Sequence, residues 1–249
     1  MLNDQFYIRN NEADMPVTVR GNKMSKNIIL YLHGGPGGES QSNIFSNSFL
    51  QLQEKYKIAF LDQRQQGNAH GHIKLRNIKF EKFTEDVYLL INVLKKKYGP
   101  DSSIFLLGHS WGGTLGTGFM INESYQKEVA GYIQVAGAYD LPLLCKSVID
   151  MVNAVGQEEI EKNKHVSQWK DILENIKQYD RANLTSDDIL NLGAFAEEIL
   201  INKQLLTQEV NPIESKIKFS NGYSYSEDPI YPKGFDAFSY AANAWAISK

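Results

Sequence analysis

The chain has 249 residues, with 26 Lys and Arg against 29 Asp and Glu and a formal charge of −3. That length suits one large α/β domain or a core with an inserted subdomain, and the charge supplies none of the dense positive field that holds nucleic acid or an anionic membrane. A single cysteine, Cys145, excludes an internal disulfide framework, which leads to an expected cytoplasmic location, or a periplasmic one if a signal peptide has been removed.

Taken in chain order, alternation and β-branched content predict strands at residues 6–9, 16–20, 27–32, 57–62, 103–107 and 132–135. The last four are apolar runs with little polar interruption, the pattern of parallel strands covered on both faces. Helical patterns lie between them, as crossover connections require. The clearest is "TEDVYLLINVLKKKYGP", in which Thr84 is the expected cap, Val87, Leu90, Ile91 and Leu94 form one stripe, and Gly99-Pro100 ends the run. No segment reaches the apolar length of a membrane span, and the N-terminus has no basic start followed by an apolar stretch.

After "GYIQVAGAYD" the texture changes to amphipathic helix, from Leu141 to about Gln208. Ile149, Val152 and Val155 make one stripe and Ile172, Leu173 and Ile176 a second, while "TSDD" at 185–188 has the form of a capping box. The division expected is a core at 1–140 and a helical cap or lid region at 141–249. Beyond Asn221 the sequence is rich in Tyr, Phe, Pro and Gly, then closes on an Ala-rich helical pattern containing Trp245.

Two glycine motifs carry the chemistry. "FLLGHSWGGTLG" sets Gly108-His109-Ser110-Trp111-Gly112 between an apolar strand and a small-residue helix. In that context Gly-x-Ser-x-Gly is a nucleophile elbow, a sharp turn that lifts the Ser110 hydroxyl above the sheet. "ILYLHGGPGGES" also runs from a strand into a glycine-dense loop, whose amides are suited to an oxyanion. The expected donors are the backbone N–H groups of Gly35 and Trp111. A phosphate-binding reading of the same glycines lacks the Gly-Lys-Ser/Thr ending and the dinucleotide spacing.

"HGGPGG", "DQR" at Asp62 to Arg64 and "GHSWGG", in this order, resemble the proline iminopeptidase branch of the α/β-hydrolase superfamily over residues 27–138. The resemblance implies an α/β-hydrolase fold, a mostly parallel sheet flanked by helices with an inserted helical cap. It also implies a serine hydrolase that removes an N-terminal residue, often proline, through an acyl-enzyme on Ser110. Cap acids are expected to bind the substrate's free amine, with Glu197 and Glu198 as candidates against a plain solvated helix face. An esterase or amidase for small acyl groups and a non-catalytic binding relative stay open. The family continues "DQRG" with a further glycine and serine, whereas this chain has "DQRQQGNAHGH".

A serine needs a base, and in this fold a histidine follows an acid late in the chain. The five histidines are His33, His70, His72, His109 and His165, and His165, the one after Ser110, lies on a polar helical stretch. His70 is the remaining candidate, His33 reads as a structural hydrogen-bonding residue, and His109 is expected to turn from the reacting atoms. The two core strands that carry the acid and histidine in the family are missing from the sequence, so a truncated chain with little activity of its own is expected. No organic cofactor or metal is expected, since no His, Cys and carboxylate cluster has ligand spacing. The expected partner is a small peptide or acyl substrate, with no nucleic acid and no membrane.

Overall fold

The computed structural model describes residues 1–74, 77–137, 139–185, 188 and 191–192. One compact unit runs to Tyr139 and a second begins at Asp140.

The first unit is built on a six-stranded sheet in the order β1-β2-β4-β3-β5-β6. Strands β1 (Leu2–Asn10) and β2 (Ala13–Gly21) form an antiparallel hairpin whose two turn residues, Asn11 and Glu12, have φ of 46° and 69°. Two consecutive left-handed residues give a turn that matches the right-handed twist of the strands. Strand β4 (Lys57–Leu61) pairs antiparallel with β2 and parallel with β3 (Asn27–Leu32). Strand β5 (Ser103–His109) lies parallel on the other side of β3, and β6 (Gly131–Val135) parallel to β5.

The central strands read as continuous apolar runs because both faces are covered. Ile28, Leu30, Leu32, Ala59 and Leu61 belong to one buried cluster with Val87, Leu90, Ile91 and Leu94 of α2 (Phe80–Tyr98) and Leu115 and Phe119 of α3 (Trp111–Met120). The alternate residues Ile29, Tyr31, Ile58 and Phe60 pack on the other face with Phe49 of α1 (Asn47–Lys55). Alternation along each strand thus feeds two cores from one sheet.

Helix α2 begins at Phe80, after an extended Lys79, and not at Thr84 as its sequence suggests. Thr84 is buried inside the helix and donates its hydroxyl to the Glu81 carbonyl. The extra turn brings Phe80 and Phe83 edge-on to the Trp111 ring at 5.8 and 5.7 Å, so tertiary burial overrides the local cap signal.

In the second unit α4 (Leu141–Glu161) is capped by Asp140, which accepts from the Leu143 amide, and is followed by α5 (Val166–Ile176). The stripes expected on these helices meet each other, Ile149 and Val152 burying with Trp169 and Ile176 while Val155, Ile172 and Leu173 pack against them. Cys145 is buried in this cluster as a free thiol. The capping box at 185–188 forms with aspartate as its acid: Thr185 donates N–H and hydroxyl to Asp188, and Asp188 returns its N–H to the Thr185 hydroxyl. Trp245, and the position at which the family's two further strands would follow, lie outside the described residues. Among the described residues no helix is long and apolar enough to cross a membrane.

Candidate active site

Ser110 sits between the last residue of β5 and the first of α3 with φ 51° and ψ −120°. That is sparsely populated backbone for a residue with a β-carbon, and such strain clusters at functional sites. The surroundings hold it in place. Its N–H donates to the Val135 carbonyl of β6 at 2.9 Å, and its own carbonyl accepts from the Gly113 N–H at 2.8 Å. Glycine is required on either side by close approach. A β-carbon on Gly108 would lie 2.3 Å from the Gly112 carbonyl oxygen, and one on Gly112 would lie 1.9 Å from that of Leu32. The Ser110 side chain makes no capping bond and is partly open to solvent.

The parallel register places the glycine loop beside this serine. Leu32 is the partner of Gly108 in the β3–β5 ladder, so Gly34 and Ser110 stand two residues beyond the same rung. A β-carbon on Gly34 would be 3.2 Å from that of Ser110. The chain leaves β3 toward β4 on one side and β5 toward β6 on the other, so this point is also where the sheet's connections diverge, the crevice in which α/β sheets bind ligands.

The orientation of the Gly35 amide follows from its neighbours. His33 Nδ1 is 2.8 Å from the Gly34 carbonyl, and the Gln63 N–H donates to His33 Nε2 at 3.2 Å. An acceptor role at Nε2 leaves the proton on Nδ1, so His33 is neutral and donates to Gly34. Burial depresses its pKa, which favours the same form. The Gly34–Gly35 peptide is trans, while Gly35–Pro36 is cis. In a trans peptide C=O and N–H point in opposite directions, so His33 holds the carbonyl inward and the Gly35 N–H faces away from it. Trp111 opens α3, and a first-turn amide has no partner within its helix.

The loop after β4 supplies supports whose individual roles the sequence did not reveal. Gln63 donates Nε2 to the His33 carbonyl at 3.1 Å and accepts from the Trp111 indole Nε1 at 2.9 Å, joining the glycine loop to the residue after the serine. Asp62 is fully buried and accepts four bonds, from the Ser40 amide and hydroxyl and from the Asn68 amide and side chain, at 2.6 to 3.1 Å. Arg64 is buried in a two-bond pair with Asp86, both at 2.6 Å, and donates also to the Asn77 carbonyl. Burial raises the Asp86 pKa, and Arg64 and Asn10 oppose that shift by bonding the carboxylate. Gln66 accepts from the Gly37 amide at 2.8 Å. The "DQR" triplet was the available signal, with no local periodicity to say what each side chain holds.

Among the described residues no histidine makes a hydrogen bond with the Ser110 hydroxyl. His33 is fully engaged. His70 reaches the correct edge of the sheet but is bridged to Asp14 at the start of β2, with its ring on Tyr7. The His70 ring is turned to Tyr7 of β1 and lies 4.0 Å from the Asp14 carboxylate, on the side of the sheet order opposite to β5. His72 is exposed, while His109, expected to turn from the reacting atoms, has Nδ1 3.2 Å from where a Gly34 β-carbon would be, the same distance as the Ser110 β-carbon. His165 belongs to the second unit, where it precedes α5 with a left-handed φ of 47°. Glu197 and Glu198 lie outside the described residues. Among the described residues no three His, Cys, Asp or Glu side chains gather as a metal site.

The family model described as serine aminopeptidase, S33, matches residues 23–210, three quarters of the chain. The chain belongs to the serine aminopeptidase family. Within this serine aminopeptidase relationship, a proline iminopeptidase of Thermoplasma volcanium is 30% identical over 132 residues, 52% of this chain and 41% of that protein. A kynurenine formamidase of Aspergillus versicolor is 26% identical over 140 residues, 50% of this chain and 48% of that protein. The match spans less than half the length of either relative. A proline iminopeptidase-related protein from Thermus thermophilus superposes with a TM-score of 0.50 at 21% identity, covering 61% of this chain and 51% of that one. The shared architecture is the α/β-hydrolase fold, with its mostly parallel sheet and flanking helices.

Proposed function

We propose that this serine aminopeptidase relative carries out acyl transfer at Ser110, with the Gly35 and Trp111 amides stabilising the oxyanion. The observation that carries the reading is the pairing of a strained Ser110, φ 51°, with the Gly34 loop one ladder step away. The hydroxyl attacks a substrate carbonyl, the negative charge passes to the carbonyl oxygen, and two fixed N–H donors meet it there. Collapse of the tetrahedral adduct breaks the bond to the amine or alcohol, which leaves with the proton lost by the Ser110 hydroxyl, and water then hydrolyses the acyl ester to a carboxylic acid and free Ser110.

The substrate we infer is a short peptide with a free N-terminus, proline in first place. The Thermoplasma proline iminopeptidase supports it. The second unit would serve as the lid, and Glu197 and Glu198 as the acids that meet the free amine. A second reading, hydrolysis of a small acyl amide, is favoured by the kynurenine formamidase relative. Turnover of a proline arylamide, an N-formyl arylamide and a simple aryl ester, each with and without Ser110→Ala, separates the readings. Preference for the proline arylamide supports the first, and preference for the formamide supports the second. Any turnover that survives Ser110→Ala unchanged rejects both.

A further inference from the structure

The loop that follows β4 departs from its family at two glutamines, and each carries a buried side-chain atom with no partner, Oε1 of Gln65 and Nε2 of Gln66. Gln66 is 2% exposed. Its Oε1 accepts from the Gly37 N–H at 2.8 Å and would be 3.5 Å from a β-carbon on Gly35. Its backbone N–H donates to the Gln63 carbonyl at 3.0 Å, which ties it to the residue that bridges His33 and Trp111.

We propose that Gln66 is a positioning residue of the oxyanion loop: its side-chain oxygen fixes the Gly37 amide and, with His33 on the Gly34 carbonyl, clamps the segment that presents the Gly35 N–H. The proposal rests on the acyl-transfer reading of Ser110. The clamp has one hold on each side of Gly35-Pro36. Gly35 and Gly37 have φ of 131° and 103°, values that side-chain-bearing residues rarely adopt, so the loop has no rotamer packing of its own to fix it.

The chemistry of the side chain fits this task and no simpler one. A methionine would fill the same space without a buried donor left unpaired. A glutamate would accept from Gly37 but place a negative charge beside the site where negative charge develops. Glutamine both accepts and stays neutral.

The test follows modification of Ser110 in the 249-residue chain by a fluorophosphonate, read by intact mass against probe concentration and pH, for wild type, Gln66→Met and Gln66→Glu. The limiting rate of Gln66→Met falls on the order of 10- to 100-fold with little change in half-saturation, the signature of lost geometry. Gln66→Glu reacts at a rate near wild type at low pH, where its carboxyl is neutral, and falls progressively behind as pH rises and the carboxyl ionises. Rates for Gln66→Met equal to wild type, or a Gln66→Glu profile parallel to wild type, overturn the proposal. If wild-type Ser110 takes no probe at all, the acyl-transfer reading is what fails. Hydrogen exchange at the Gly37 amide then judges the clamp: faster exchange in Gln66→Met supports it, and unchanged exchange overturns it.

Discussion

Gly34 and Ser110 face each other across the ends of two adjacent parallel strands, each two residues past the rung formed by Leu32 and Gly108. The approach leaves little room on either side, and the two glycines nearest to it should respond differently to a methyl group. At Gly112 the new atom would meet the Leu32 carbonyl oxygen at 1.9 Å, backbone against backbone, with no side chain able to give way. Gly112→Ala is expected to lose about 3 kcal/mol or more in urea unfolding. At Gly34 the contacts are 3.2 Å, to the His109 ring and the Ser110 β-carbon, so Gly34→Ala should remain folded with a loss of about 1 kcal/mol and slower Ser110 modification. Equal stability of the two variants would contradict the packing described.

Gln63 should be sensitive for a different reason. Gln63→Leu keeps most of the volume but orphans the Trp111 indole N–H and the His33 carbonyl. At about 1 to 3 kcal/mol for each buried group left unpaired, the expected loss is about 2 to 6 kcal/mol, accompanied by a change in Trp111 emission. A variant as stable as wild type would show that the bridge contributes nothing.

The Arg64–Asp86 pair predicts non-additivity. Both side chains are buried, so Asp86→Leu strands a guanidinium and should cost about 3 to 5 kcal/mol. The double variant Arg64→Met with Asp86→Leu removes both charges and should cost less than the single one. Denaturation of the four proteins of the cycle measures this, and simple additivity would contradict a desolvated pair.

His33 links stability to pH. Its folded-state pKa lies below the ordinary histidine value of 6.5 because of burial. Below pH 6.5 the unfolded chain therefore takes up a proton that the folded chain refuses. Its contribution is fully present above pH 6.5 and is lost as pH falls toward the folded-state value. At pH 6.5, where an ordinary histidine is half charged, ring ¹⁵N shifts of His33 should show mostly the neutral Nδ1–H tautomer. A charged ring there would contradict the assignment of its two bonds.

The strands at 27–32, 57–61 and 103–109 were legible because burial on both faces leaves an uninterrupted apolar run, and the elbow was legible because close backbone approach admits glycine alone at 108 and 112. Helix α1 was not singled out, since only Phe49 and Gln53 of its nine residues are buried and no apolar stripe marks it. The outer parts of β1 and β2 were missed for a related reason: polar residues such as Asn3 and Asp14 pair in the ladder as readily as apolar ones. The supports of the site were the least visible. Gly37 and Gln66 are 29 residues apart and Gln63 and Trp111 are 48, and a hydrogen bond over such a separation leaves no period to read.

The central claim is that Ser110 is a nucleophile set beside an oxyanion site, and the most direct measurement is its modification by a fluorophosphonate, located by peptide mapping. A single adduct is expected on Ser110 of the folded chain, absent from Ser110→Ala and lost in urea. The rate should be slow, because among the described residues no histidine hydrogen-bonds the Ser110 hydroxyl to take its proton. No adduct after exhaustive incubation of the folded chain, or an equal rate of labelling in Ser110→Ala, would contradict it.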